Sequence, residues 1–456
     1  MCRIRNIQFS NHSRTFKVPE LENFGTPATA PMTPHTIRLY GATTASSKIG
    51  TGFFFLINTW LIIDITGHPS SAALSLIMTV LPGLLLSPVI GLMIDRGDPA
   101  RLAYRADLFR WAMLLAYAAL YAGGHATAAS AYAISFLVAL GNEVQVLSWR
   151  AALARNASAD DMLRLNALTV VTGQTGQVLG AAASGIVLAS IGAAATVCVA
   201  SVTYLLAGVF GWLTARRLTA AGEVAHLSEG AGEGKPKHYW RDLRAGVAHI
   251  VERPEIGFFY GLFVANMSVV FGMNAMLAPF VREELHLSAA AFGKIDAGYA
   301  LGAIAGGFFV VRLANRFGRR TVLLLGLGIA AACLLAFSVC RGQVAAFAIY
   351  AGLGASFQSS VIALSTAQRA TDSAYQGRVS ASFNAINGLA GLVVYVVVAA
   401  SAGHHLYRQL YLAQASALAL LIPIVLLASR QRRINPLLSP APSVSMPVSS
   451  LSASSN

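Results

Sequence analysis

Long apolar runs separated by short, arginine-bearing loops dominate the chain. Mostly apolar stretches lie at 38–64, 72–95, 102–122, 127–149, 166–190 and 193–215, and again at 256–281, 290–313, 320–340, 344–367, 379–402 and 406–429. A helix needs about 20 apolar residues to cross the hydrocarbon core, and lipid offers its backbone no outside partner. The pattern therefore predicts an all-α polytopic membrane protein of twelve transmembrane helices. The polar segment 216–255 divides them six and six, so two six-helix bundles are expected at 37–215 and 256–430. A disordered lead (1–36) and a Ser- and Pro-rich disordered tail (431–456) flank the bundles. Met32, five residues before the first bundle, is an alternative start to Met1.

Inside the linker the pattern changes. Gly, Ala and Glu fill 220–234; from Tyr239 onward Leu243, Val247, Ile250 and Val251 recur at helical spacing among Arg241, Asp242, Arg244 and Glu252. That predicts an amphipathic helix lying on the inner membrane surface.

Composition agrees with a membrane. Of 456 residues 55% are hydrophobic and 11% charged, with a mean hydropathy of +0.60; soluble domains carry roughly 25% charged residues. A net charge of +14 would suggest nucleic acid in a soluble chain. Here the bases gather in the loops of one side, which the positive-inside rule makes cytoplasmic, with both termini. Only Arg282, Lys294, Arg341 and Arg408 fall on the other side. Cys2, Cys198, Cys333 and Cys340 have no metal or redox spacing, and no phosphate loop or nucleophile elbow occurs. Expected, then, are no enzyme activity, no metal, no cofactor, no nucleic acid and no ATP-driven step. The bilayer and a small molecule remain as partners of a monomer.

Two loops match in position. After the second run the chain reads Gly91-Leu-Met-Ile-Asp95-Arg96, with Asp98 and Arg101 following; after the eighth it reads Asn315-Arg316-Phe-Gly318-Arg319-Arg320, preceded by Gly307. The pairs Arg155/Arg164 and Arg369/Arg378 likewise recur with a common offset of 214 residues. These paired loops resemble the signature loop of the major facilitator superfamily. The resemblance implies two pseudo-symmetric bundles with a substrate site near mid-bilayer between them. It also implies a cytoplasmic gate in which Asp95 docks near Arg378 and Asn315 near Arg164. Several phrases resemble the bacterial macrolide-efflux and enterobactin-exporter branch: Leu61 to Pro69, Ala106-Asp107-Leu-Phe-Arg110, Ala278 to Ser288, and Asp242 to Gly246. That branch implies proton-coupled export of a small amphiphile, such as a siderophore or drug, across a bacterial inner membrane. The small residues Gly180 to Gly185 lack the Pro that accompanies antiporters. A gradient-driven nutrient importer and a transport-dead sensor or scaffold stay open.

Ionisable or amide groups inside apolar runs are the candidate pathway residues. On the first helix Lys48 shares a face with Thr51, and Asn58 lies at its edge. Arg110 and Glu143, both expected about 9 Å deep on neighbouring helices, form a candidate pair, with Asp107 a competing partner one turn before Arg110. Asn266 and Asn274 enrich the seventh helix in amides, and Asp296 sits near the outer end of the eighth.

Overall fold

The computed structural model describes residues 32–225, 239–372, 375–401 and 406–438. Every regular element among them is helical. The first bundle holds α1 (Pro34–Thr66), α2 (Ser70–Arg96), α3 (Pro99–Ala122), α4 (Ala128–Asn156), α5 (Ala159–Ile191) and α6 (Ala193–Ala225). Then come α7 (Tyr239–Glu252), α8 (Pro254–Pro279), α9 (Ala289–Phe317), α10 (Arg319–Ser338), α11 (Gln343–Phe357), α12 (Ser360–Ala370), α13 (Gln376–Ser401), α14 (Tyr407–Ala428) and α15 (Asn435–Leu438). A π-helical turn, Phe280–Glu284, prolongs α8. Ten described helices are long and apolar enough to cross a membrane. Helices α3 and α5, of 24 and 33 residues, have the length but carry more polar side chains.

Local chemistry sets the ends. Thr33 caps α1 through Thr36 N–H, with Pro34 in the first turn, where a missing N–H costs nothing. Gly67 closes the helix at φ 68°, its N–H bonded to Ile63 O, a conformation that disfavours any Cβ. Asp98 caps α3 and Ser158 caps α5. Helix α1 is the axis of the first bundle, packed on α5 and α6, while α3 packs on α6 and α4; in the second bundle α9 packs on α11 and α10 on α14.

Several expected boundaries move. Residues 32–36 belong to the fold, not to a disordered lead: Met32 N–H donates to Asp161 at 2.8 Å and Thr36 is buried. Helix α6 continues to Ala225, into the segment expected to be linker. The tenth run is broken into α11 and α12 at Gln358–Ser359. Residues 431–438 of the expected disordered tail pack instead, with Ile434 and Leu438 buried and Leu437 O accepting from Arg319 at 3.1 Å. Residues 1–31, 226–238 and 439–456, on which the rest of the lead, linker and tail expectations fall, lie outside the described residues.

The linker helix α7 is amphipathic in place. Val251 is 73% exposed and Val247 points outward as well, while Gly246 and His249 are buried. His249 stacks on Tyr375 with ring centroids 4.4 Å apart, and Arg253 bridges to Asp372 at 2.7 Å. Helix α7 thereby grips the start of α13.

The two bundles touch along α5 with α9 and α2 with α13. At the arginine-poor end Arg282 meets Asp64 at 3.5 Å, Trp60 stacks on Phe292 at 5.6 Å, and Gly185 abuts Gly293. Small residues let helix backbones approach this closely in a membrane.

Candidate functional site

The polar centre of the first bundle is built around Arg110. It lies eleven residues into α3, which at 1.5 Å per residue is about 16 Å from the arginine-rich end. That is deeper than expected, because α3 begins at Pro99. Its side chain is 1% exposed and bridges to Asp107, 0% exposed, at 3.2 Å. Asp107 is therefore the partner of Arg110; the expected pair with Glu143 does not form. Three residues earlier on one helix, Asp107 reaches the guanidinium without crossing to α4.

Hydroxyls complete the cluster. Arg110 Nη1 donates to Ser47 Oγ at 2.9 Å, and Ser47 in turn donates to Asp107 Oδ1 at 2.9 Å. Nη2 donates to Thr51 Oγ1 at 2.9 Å and to Tyr204 OH at 2.5 Å. The guanidinium carbon also sits 3.8 Å from the Tyr204 ring centroid. A buried ion pair persists best when further bonds satisfy its spare donors and acceptors, and here three hydroxyls serve Asp107 Oδ1 and the two Nη atoms, while Asp107 Oδ2 and Arg110 Nε are left without a hydrogen bond. Gly141 on α4 makes room for the stem: a Cβ there would lie 2.6 Å from Arg110 Cγ.

Beside this cluster a cavity of about 210 Å³ opens between α1, α2, α3, α4 and α6, all of the first bundle. Phe54, Phe55 and Tyr204 give it aromatic walls, and Thr51, Asn58, Asn142 and Arg110 polar ones. Asn58 Nδ2 donates to Ser135 Oγ at 3.0 Å.

The remaining expected residues scatter. Lys48 is half-buried, does not line that cavity, and has its Cβ against Gly176 of α5. Thr51, Phe54, Phe55 and Asn58 of α1 line the cavity, one to three turns further along the helix than Lys48; Thr44, one turn before Lys48, bonds Thr172 of α5 at 2.8 Å. Glu143 is half-buried, thirteen residues from the end of α4, and lies against Gly83. Asn266 is buried and donates to Leu262 O of its own helix at 3.2 Å. Asn274 and Asp296 are half-buried. Sequence reading missed Ser47, Tyr204 and Asn142. Ser47 was accessible, one turn before Thr51 on α1; nothing local marks Tyr204, which joins the cluster through tertiary packing.

Of the two loops, Asp95, Arg96, Asn315, Arg316, Arg320, Arg164 and Arg378 are exposed. Gly91 has open space around it, Arg101 bridges to Asp98 at 3.0 Å, Gly318 has φ 84°, and Arg319 holds Leu437. Arg155 donates to Ile94 O and Gly97 O at 3.3 and 3.4 Å, pinning the first loop to the end of α4.

Comparisons bear on the whole. The sequence profile of the Major Facilitator Superfamily matches residues 258–453. No curated protein matches the chain by sequence. Among solved structures, a mutant of the nucleoside transporter NupG shares 10% identity at TM-score 0.66, covering 86% of this chain and 99% of that one. An auto-inhibited POT family peptide transporter shares 13% at TM-score 0.65, covering 88% and 98%. A bacterial homolog of the human lysosomal transporter Spinster, inward-facing and unoccupied, shares 16% at TM-score 0.61, covering 89% and 98%. The second half thus carries the superfamily's sequence pattern, and the chain as a whole shares the fold of solved transporters. Both are features of a membrane transporter and not of an enzyme.

Proposed function

We propose that this chain is a twelve-span secondary transporter that exports a small amphiphilic molecule across a bacterial inner membrane by alternating access, coupled to protons. The carrying observation is the neutralised pair Asp107–Arg110, held by hydroxyls against a cavity near mid-bilayer. A charged pair is costly there and defaults to a pathway role. Export over import follows from the branch that Leu61–Pro69 and Ala278–Ser288 resemble. Glu143 is the proposed proton carrier, since it is a half-buried carboxylate against Gly83 of α2, next in the chain to the cavity-lining Asn142, without an ion-pair partner among the described residues. The gate follows the resemblance. Asp95 is exposed at the arginine-rich end and would dock on the start of α13, where first-turn N–H groups would favour a carboxylate by about 0.3–1 kcal/mol and Arg378 would add a charge-assisted bond.

The test uses everted membrane vesicles energised with an imposed pH gradient and a fluorescent amphiphilic cation, ethidium, beside an uncharged amphiphile, Nile red. Gradient-driven accumulation of either that disappears in Asp107→Asn and Glu143→Gln, at normal protein abundance, supports the reading. Accumulation equal in both variants and wild type across pH 6 to 8 removes these carboxylates from the mechanism.

A further inference from the structure

The exposed side of α10 carries a hollow that the transport pathway does not use. Arg320 stands at its arginine-rich end; Thr321, Leu324, Leu325, Gly328, Ile329 and Ala332 line the rest, all from this one helix. Spacing explains the shape. Residues 320, 324, 328 and 332 share one face, four apart, and 321, 325 and 329 form the row beside it. The first row sinks at Gly328, where a Cβ would have open space around it. Leu325 and Ile329, 50% and 49% exposed, stand along its side. The hollow measures about 630 Å³.

Its depth matches one leaflet. Helix α10 has 20 residues, just enough to cross the hydrocarbon core, so its two ends lie at the two membrane faces. Arg320 to Ala332 spans ~18 Å along the axis, and one leaflet of that core is roughly 15 Å deep. The hollow thus runs from headgroup level to the middle of the bilayer. A transmembrane partner or a second copy of this chain would call for a concave face along the full helix, and this one stops half-way.

The charge sits at the top. Arg320 and Thr321 are exposed, and among the described residues neither side chain has a hydrogen bond or an ion pair. Neighbouring bases are engaged: Arg319 donates to Leu437 O, Arg312 donates to Phe308 O, and Arg316 lies over the Phe317 ring. Helix α10 contains no acidic residue. A free guanidinium and a hydroxyl above an apolar slot are complementary to an anionic head on an acyl chain. A phosphatidylcholine head fits less well, because it brings its own ammonium beside Arg320.

We infer that this hollow binds one anionic phospholipid from the leaflet at the arginine-rich end, its phosphate on Arg320 and Thr321 and one acyl chain along Gly328. The site requires that the chain span a bilayer; it is independent of what the chain transports and in which direction.

The experiment takes the full chain in detergent and counts bound lipids by native mass spectrometry. Phosphatidylglycerol, phosphatidylcholine with the same acyl chains, and glycerol phosphate are added in turn. One phosphatidylglycerol should bind about fivefold more tightly than phosphatidylcholine, the contribution of one arginine near a membrane surface. Glycerol phosphate, which has the charge but no chain, should not be retained. Arg320→Gln should bring phosphatidylglycerol down to the phosphatidylcholine level, and Arg320→Lys should keep most of the difference. Gly328→Leu fills the slot without touching the charge and should weaken both lipids together; leucine is the better helix former, so the helix tolerates it. Arg312→Gln removes a charge from the same end and should leave the lipid preference unchanged. Equal binding of the two lipids, a preference unmoved by Arg320→Gln, lipid binding untouched by Gly328→Leu, retention of glycerol phosphate as tight as that of the lipid, or dimers in place of lipid adducts overturns the inference.

Discussion

Single residues already divide stability from transport. Removing one member of a buried ion pair strands the other, at a cost of about 3–5 kcal/mol, whereas replacing both with apolar groups is often neutral. Asp107→Asn is thus expected to lower thermal stability sharply. The double variant Asp107→Leu/Arg110→Met should recover most of it and still fail to transport. A double variant as unstable as the single one would mean that the hydroxyls, not the charge balance, dominate the cluster. Asp161 offers a second test, outside the membrane. Bonds from Met32 N–H and Ser158 Oγ hold its carboxyl below the ordinary carboxylate range. A depressed value means the contact stabilises the fold at neutral pH and down to the ordinary range, and is lost as pH falls through the lowered value. Protection of the backbone amides between Met32 and Thr36, relative to their intrinsic exchange at each pH, should therefore fall on acidification, and in Asp161→Asn it should already be low at pH 7.

Helices carry the next level. Arg110 can reach the cluster only because Gly141 leaves its stem a channel between α3 and α4. Gly141→Val should displace Arg110 and abolish transport, while Gly173→Ala, at a glycine with open space around it, should leave transport unchanged as a control. Similarly, Gly185 and Gly293 permit α5 and α9 to touch at the arginine-poor end. A side chain at Gly293 would strike the backbone of α5, which cannot yield as a flexible side chain can. Gly293→Leu should thus favour the state open at that end. Spin labels at that end of α5 and α9 would report a longer distance in the variant; an unchanged distance would show that another contact holds the bundles together.

At the scale of the whole molecule the two ends behave differently. The arginine-poor end is joined by Asp64–Arg282, Trp60–Phe292 and the two glycines. Asp64 and Arg282 are partly exposed, and such pairs contribute about 0–1 kcal/mol. Arg282→Ala should therefore barely alter melting, yet shift a finely balanced two-state equilibrium by a few-fold. At the arginine-rich end the proposed latch predicts that labels at 95 and 377 approach when that end closes. Asp95→Asn should impair transport, whereas Asn315→Ala should be mild, since Asn lacks the charge that a helix start favours. An unchanged distance between states, or a more damaging Asn315→Ala, would reject the latch. Because α7 grips α13 through His249–Tyr375 and Arg253–Asp372, the linker helix is expected to move with the closing end.

Hydropathy alone determined that the chain is helical and where most helices lie, because lipid permits a long apolar run no other structure. It also determined the amphipathic helix near Tyr239–Glu252, whose apolar positions repeat at helical spacing, and Arg110 and Asp107, whose charges stand out in an apolar run. Rotation about each helix axis was beyond it. Whether Lys48 or Asn58 faces the cavity, and whether Ser47 meets Arg110, depends on how α1 sits against α4, α5 and α6, and a stripe rich in Thr looks alike whether it meets water or another helix. The partner of Arg110 was decided in the same way: Asp107 and Glu143 are both within reach of a long side chain in sequence terms, and only packing against Gly141 and Tyr204 aims the guanidinium at one. The closed end depended wholly on tertiary structure, since Trp60, Gly185, Arg282 and Phe292 lie far apart along the chain and meet only when two bundles lean together. Helix ends beyond the apolar runs, such as Ala225 and Leu438, were set by packing as well, where polar sequence carries no membrane signal.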